Sequence, residues 1–211
     1  MSKIKSRAKL YLDHAKTFAQ RNERAGRAGQ FDCAHFMIYE VVLSFSERKH
    51  GYNGTLSTLG AWCHIKDMRT VKKKLCDLQD AGFISIKVRK GTSHSIRAEK
   101  KLPKSGKFVN LWKDNGETLT KKGITPTAAL LAYSVISHFE QSARGWCGST
   151  KYLMEWMPKI SKSHINNILQ DLRKANLITV KTDEERTEFY SSLDRSELTH
   201  QSLNEDDDIP F

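Results

Sequence analysis

The feature that most limits how this 211-residue chain can fold is an internal repeat at a displacement of 94 positions. At that displacement two stretches coincide without a gap. "GYNGTLSTLGAW" (51–62) falls on "GWCGSTKYLMEW" (145–156), and "VKKKLCDLQDAGFISIKV" (71–88) falls on "INNILQDLRKANLITVKT" (165–182). Upstream, Tyr39, Val41 and Phe45 fall on Tyr133, Val135 and Phe139. Most of the matched positions are apolar or glycine, as two copies of one core require. Two copies at so long a period predict two similar domains rather than a solenoid.

Each copy reads as three helices followed by a β-hairpin. The first helix is expected over 33–48, apolar at Phe36, Tyr39, Val42, Leu43 and Phe45, with its partner over 126–142. Gly51 and Gly145 are placed to stop these helices, because glycine accepts the left-handed conformation. A short second helix follows Thr55 or Ser149, both good N-caps. A third begins near Lys66 or Ser161. Its core face is Val71, Leu75 and Leu78 in one copy and Ile165, Leu169 and Leu172 in the other, at helical spacing. Gly82 and Asn176 then end it, and the pattern switches to strand. The fold class expected is mainly α with small β-hairpins (α+β). Four segments are expected: 1–29, a basic helix and linker; 30–113, the first domain; 114–190, the second; and 191–211, an acidic tail without fixed structure.

This layout resembles the winged-helix fold. "CGSTKYLMEWMPKISKSHINNILQDLRKANLITV" is similar to the helix-turn-helix of winged-helix regulators and of phage and plasmid replication proteins. The shared positions are Ser149, Leu153, Ser161, Ile165, Leu169, Leu172, Asn176, Leu177 and Ile178. The resemblance covers both copies, about 33–112 and 125–190. It implies a DNA-binding fold, and such folds serve many tasks.

In a helix-turn-helix the third helix of this layout enters the major groove. In copy one Lys66, Arg69, Thr70 and Lys73 fall opposite the apolar face. In copy two the matching positions are Ile160, Ser163, His164 and Asn167, with Lys159 and Lys162 beside them. The first surface favours phosphates; on the second, Asn167 has the groups to read adenine. The alternative for both is a solvated helix face. After 83–89, copy one carries "KGTSHSIRAEKKLPKSGK", read as a long basic loop before a return strand at 108–112. With Arg89 it offers Lys90, Arg97, Lys100, Lys101, Lys104 and Lys107 to a phosphate backbone. Copy two has a short acidic wing, "TDEERTEFY". Trp62 and Trp156 are expected in the core, while the exposure of Tyr52, Trp146 and Trp112 stays open. Ahead of copy one, Ile4, Ala8, Tyr11, Leu12, Ala15, Phe18 and Ala19 line one face of an expected helix, with Lys3, Lys5, Lys9 and Lys16 off it.

Charge divides along the same lines. The chain carries 35 Lys and Arg against 24 Asp and Glu, a formal net charge of +11. Residues 1–30 carry +6, 31–113 +9, 114–182 +4 and 183–211 −8. A basic body implies a polyanionic partner, here single-stranded or duplex DNA. No apolar run approaches the ~18–20 residues of a membrane span, and no signal-peptide core opens the chain, so a cytoplasmic protein is expected; the resemblance to phage and plasmid replication proteins implies a bacterial, nucleoid-associated one. The cysteines Cys33, Cys63, Cys76 and Cys147 form no C-x-x-C pair and no zinc spacing, and buried thiols are expected. There is no phosphate-cradling glycine loop, paired-histidine motif or nucleophile elbow, so no enzyme, cofactor or metal is expected.

The sequence finishes on "NEDDDIPF" (204–211). Asp206, Asp207, Asp208, Ile209, Pro210 and Phe211 resemble, residue for residue, the C-terminal tip of bacterial single-stranded DNA-binding protein. In that family the tip docks on primosome and polymerase subunits, helicases, nucleases and recombination mediators. The resemblance implies host proteins of this kind as partners. A ring with its own carboxylate suits an apolar pocket with a basic lip, Pro210 restricts the backbone, and the aspartates attract a basic rim. A flexible tail of ~20 residues reaches roughly 25 Å. The expected function is DNA binding in replication, recombination or repair, with the tip recruiting host enzymes. A replication initiator reading duplex repeats, and a decoy filling the host docking pockets, are the alternatives. Homo-oligomers are compatible with either.

Overall fold

Two matched sets of helices are held together by one antiparallel pair of strands. The structure is a computed structural model that describes residues 7–25, 31–46, 51–88, 94–99, 102–104, 106–140, 149–183 and 186–191. It is mainly helical with small antiparallel sheets. The chain opens with β1 (Arg7–Tyr11) and α1 (Leu12–Ala25), followed by α2 (Cys33–Ser46), β2 (Tyr52–Gly54), α3 (Leu56–Trp62) and α4 (Met68–Asp80). Next come β3 (Ile84–Val88), β4 (His94–Ala98), β5 (Phe108–Trp112) and α5 (Lys113–Lys121). The second set is α6 (Thr127–Glu140), α7 (Thr150–Glu155), α8 (Lys162–Lys174), β6 (Ile178–Asp183) and β7 (Arg186–Ser191).

The caps explain the local starts. Thr55 and Ser149 accept from the amides of Thr58 and Tyr152 at the heads of α3 and α7. Asp67 and Ser161 cap α4 and α8. A side-chain acceptor there satisfies amides that the helix leaves without a partner. Val71, Leu75 and Leu78, and likewise Ile165, Leu169 and Leu172, are buried as their spacing predicts. α2 is buried along its whole length from Cys33 to Leu43, so its apolar stripe is wider than the expected one. Gly82 (φ +71) and Asn176 (φ +55) turn the chain out of α4 and α8. Gly51 (φ +68) takes the left-handed conformation and leads into β2, and a Cβ there would lie 2.9 Å from the Ile96 carbonyl oxygen; residues 47–50 between it and α2 lie outside the described residues. Gly145 lies outside the described residues.

Two expectations are corrected. The hairpin of copy one closes earlier than expected: β3 pairs with β4, which lies inside the segment read as a loop, and β2 adds to β4 in the order β2-β4-β3. Phe108–Trp112 is therefore not the return strand. It is β5, and it pairs with β1. Nor is the N-terminal segment helical throughout. Residues 7–11 alternate, with Ala8 and Leu10 buried, and extend as a strand before α1 begins. A helical reading of Ala8 and Tyr11 fits the same letters, and pairing with β5 decides between the two periods.

The β1·β5 register is symmetric about the pair Lys9↔Asn110, with Arg7↔Trp112 and Tyr11↔Phe108 as its mates. The repeat thus extends upstream as a strand–helix unit, β1–α1 and β5–α5, at a displacement of 101 rather than 94. The additional residues sit mostly in α1, which is 14 residues long against 9 in α5, and the rest in the connection to α2. Hydrogen bonds repeat with it. The Lys9 amide donates to Ser44 Oγ at 3.2 Å, and the Asn110 amide to His138 Nδ1 at 3.4 Å. His14 Nδ1 lies 2.6 Å from Glu40 Oε1, and Asn115 Nδ2 donates to Ser134 Oγ at 3.3 Å. The flanking helices cross over: α1 touches α7, with Lys16 Nζ 2.9 Å from Glu155 Oε2, and α5 touches α3. α1 also supplies core to copy one, where Phe18 stacks on Phe83 at 4.7 Å.

The His14–Glu40 clasp is fully buried, and Glu40 Oε2 has no hydrogen-bond partner. Burial pushes the Glu40 carboxyl up to about 6, against the opposing pull of His14. An acid raised on folding stabilises below its unfolded pKa and loses that contribution as pH rises through the folded one. His138, pushed down to about 4 by burial and by Arg7, acts in the opposite sense over nearly the same range. The wild-type profile mixes both, so the difference between variants is decisive. Glu40→Gln should gain stability relative to wild type as pH rises from about 4.5 to about 6. Denaturant melts at several pH values measure this; a difference that does not change with pH would show that folding leaves the Glu40 carboxyl unshifted.

Candidate nucleic-acid interface

α4 buries one face and shows the other. Lys66, Arg69 and Lys73 are exposed and Thr70 is half-buried, as the periodicity predicts, and Lys72 joins them. Lys74 does not: its ammonium reaches Asp32 Oδ2 at 2.6 Å. Asp32 also accepts from the amides of Ala34 and His35 at the head of α2, and His35 bridges it to Asp77 of α4. Burial would raise the Asp32 carboxyl, but the hydrogen bonds from His35 and Lys74 outweigh it and hold the group far below the usual carboxylate range. This network fixes α4 on α2 and takes one cation out of the exposed set.

The cap of α4 brings an acid into a cationic surface. Asp67 accepts from the amides of Arg69 and Thr70 and from the Thr70 hydroxyl at 2.8 Å. These bonds, the hydroxyl first, lower its carboxyl pKa. Thr70 is thereby partly engaged in capping. The sequence signal for Asp67 was present, because it occupies the repeat position of Ser161, yet Lys66 drew the boundary instead. On α8, Lys162, Ser163, His164 and Asn167 are all exposed. The Ser163 hydroxyl lies 3.0 Å from that of Ser161, so it too belongs to the cap.

The two sets meet near their turns. Cys33 Sγ donates to the Pro158 carbonyl at 3.5 Å, and His64 Nε2 lies 2.6 Å from the Ile124 carbonyl. Each turn between second and third helix therefore touches the start of the other set's first helix. His64 and Lys159 hold φ +56 in those turns. One groove results, lined by Lys66 and Thr70 from the head of α4 and by Lys159 and His164 from the head of α8. Four of the residues singled out in sequence on separate copies thus share one concave surface.

In the wing, Arg97 is exposed on β4. Arg89, Lys90, Lys100 and Lys101 lie outside the described residues. The segment beyond β4 is anchored, in contrast to the long free loop expected: Leu102 is buried and its carbonyl lies 3.3 Å from His14 Nε2. Lys104 Nζ lies 4.6 Å from the Tyr11 ring centroid, and Lys107 is exposed, its carbonyl accepting from the Leu12 amide. Trp62, Trp156 and Tyr52 are buried, and Trp112 is half-buried under Arg7. Trp146 and the tip, Asp206 to Phe211, lie outside the described residues. Cys33 and Cys63 are buried, with thiols pushed up by desolvation, Cys33 to about 12. Cys76 is exposed on α4, against expectation. Among the described residues no group of three His, Cys, Asp or Glu is arranged to hold a metal ion, and no helix is long and apolar enough to cross a membrane.

Neither a family model nor a curated protein sequence matches the chain.

Because Asp67 both caps α4 and opposes anions, the two roles separate by substitution. Asp67→Ala should lower stability, because the α4 amides lose their acceptor. Asp67→Asn should keep most of the cap and strengthen polyanion binding at low salt. Thermal melts and heparin-column elution check the pair; an Asn variant that elutes earlier than wild type would contradict the assignment.

Proposed function

We propose that this is a DNA-binding protein of replication, recombination or repair, built from two winged-helix modules. The carrying observation is α4: a helix capped and packed on one side, with Lys66, Arg69, Lys72 and Lys73 exposed on the other and the β3–β4 hairpin following it. This is the arrangement in which a recognition helix meets a groove while a wing follows the backbone. Arg97, Lys104 and Lys107 extend the cationic surface, and the residues expected at the wing tip add to it. The neutral face of α8 makes copy two the weaker contact. The 206–211 segment, by its likeness to the tip of single-stranded DNA-binding protein, recruits host enzymes that recognise that tip. The proposed action is at single-stranded DNA, where those enzymes work.

A second reading, a replication initiator that reads duplex repeats, is favoured by one observation. The heads of α4 and α8 border a common groove, and the β1·β5 register relates the two halves by a pseudo-two-fold. A pair of related helices about a two-fold suits inverted sequence elements.

Binding of single-stranded and duplex DNA across a salt series tests both. Arg69→Ala with Lys73→Ala should weaken binding and reduce the slope of log K against log salt by about two. Negligible wild-type binding to any DNA would overturn the proposal. Strong preference for one duplex sequence would select the initiator. For the tip, deleting Phe211 should abolish capture of purified partners of single-stranded DNA-binding protein; unchanged capture would remove recruitment from the function.

A further inference from the structure

We infer that the outer face of the β1·β5 ribbon is a binding platform for single-stranded nucleic acid, which names a site for the DNA-binding reading and rests on it. Ala8, Leu10, Val109 and Leu111 fill the inner face and are buried. By alternation the outer face carries Arg7, Lys9 and Tyr11 opposite Trp112, Asn110 and Phe108. None of the six is acidic. The three rings are half-buried, so part of each meets solvent.

Cations and rings interleave across this face. Arg7 lies over Trp112 at 5.8 Å, Lys9 over Phe108 at 4.1 Å and Lys104 over Tyr11 at 4.6 Å. Tyr11 and Phe108 adjoin at 6.0 Å between centroids. Asn110, in the middle of the face, is only 7% exposed and its Oδ1 is shielded from solvent, so the rings and cations on either side of it carry the surface. Rings for bases and cations for phosphates are the parts of a single-strand site.

Spacing decides between single strand and duplex. Successive outward rows on a strand stand roughly 6.7 Å apart, twice the ~3.4 Å between stacked bases. The Phe108 and Trp112 stations are therefore separated by roughly 13 Å. Only a strand with its bases unstacked and splayed can reach both rings. A duplex keeps its bases inside and would meet the cations alone.

The test uses the full chain, a labelled oligothymidylate and a labelled duplex of the same length, read by fluorescence anisotropy. Phe108→Leu and Trp112→Leu remove ring faces and keep apolar bulk. Each should weaken oligothymidylate binding roughly tenfold and leave duplex binding and the thermal midpoint unchanged. Phe108→Tyr and Trp112→Phe, which keep a ring, should retain single-strand binding; if one leucine variant melts early, the other and these ring-keeping variants carry the comparison. Unchanged oligothymidylate affinity overturns the inference while leaving α4 as a DNA contact. Equal losses on both probes also overturn it. If wild type binds oligothymidylate through the rings but no duplex, the platform stands and the reading of α4 fails.

Discussion

The rest of the structure depends on the antiparallel pairing of β1 with β5. One strand begins the described chain and the other begins its second half, about one hundred residues later. Their shared inner face buries Ala8, Leu10, Val109 and Leu111 against the long buried helices of the two sets. Neither strand has another partner among the described residues. Two strands alone are marginal in water and need a packed face to persist. The ribbon and the helix pair beneath it are therefore mutually required, and a polar clasp from each flanking helix, His14 on Glu40 and Asn115 on Ser134, fastens them.

Much of the helical architecture was legible because its signals are local. Val71, Leu75 and Leu78 announce a face, Thr55 and Ser149 announce starts, and Gly82 and Asn176 announce stops. The ribbon was not legible, because it is a non-local choice. Ala8, Tyr11 and Leu12 satisfy a helical period as well as Ala8, Leu10 and Leu12 satisfy an alternating one. Phe108–Trp112 looked like a return strand because it is a strand; its partner is what the letters do not carry. The hidden hairpin strand His94–Ala98 reads as polar, since Ser95 and Arg97 separate its few apolar residues. Most of the cationic face of α4 was visible, as Lys66, Arg69 and Lys73, but exposed Lys72 was missed, and the pairing of Lys74 with Asp32 is a non-local contact that the letters do not carry.

The two copies have kept a common frame and diverged where they meet solvent. Core positions match in kind: Leu75 with Leu169, Leu78 with Leu172, Trp62 with Trp156. The exposed face of the third helix has changed from cations to Ser163, His164 and Asn167. The wing has changed from basic to acidic. Even the buried clasp differs, ionisable in one copy and neutral in the other. The frame is thus common to both copies, while the cations are concentrated on one of them.

The crossing of α1 onto α7 and α5 onto α3 has a topological consequence. Each half of the chain is clasped by a helix that belongs to the other, as in an exchanged dimer written into one polypeptide. Every such contact is satisfied equally well between two chains as within one. What keeps the closed form is the short connection from β4 to β5, which holds the halves at an effective concentration on the order of millimolar. Stiffening or shortening residues 99–107 would remove that advantage and favour a reciprocal pair over the closed form.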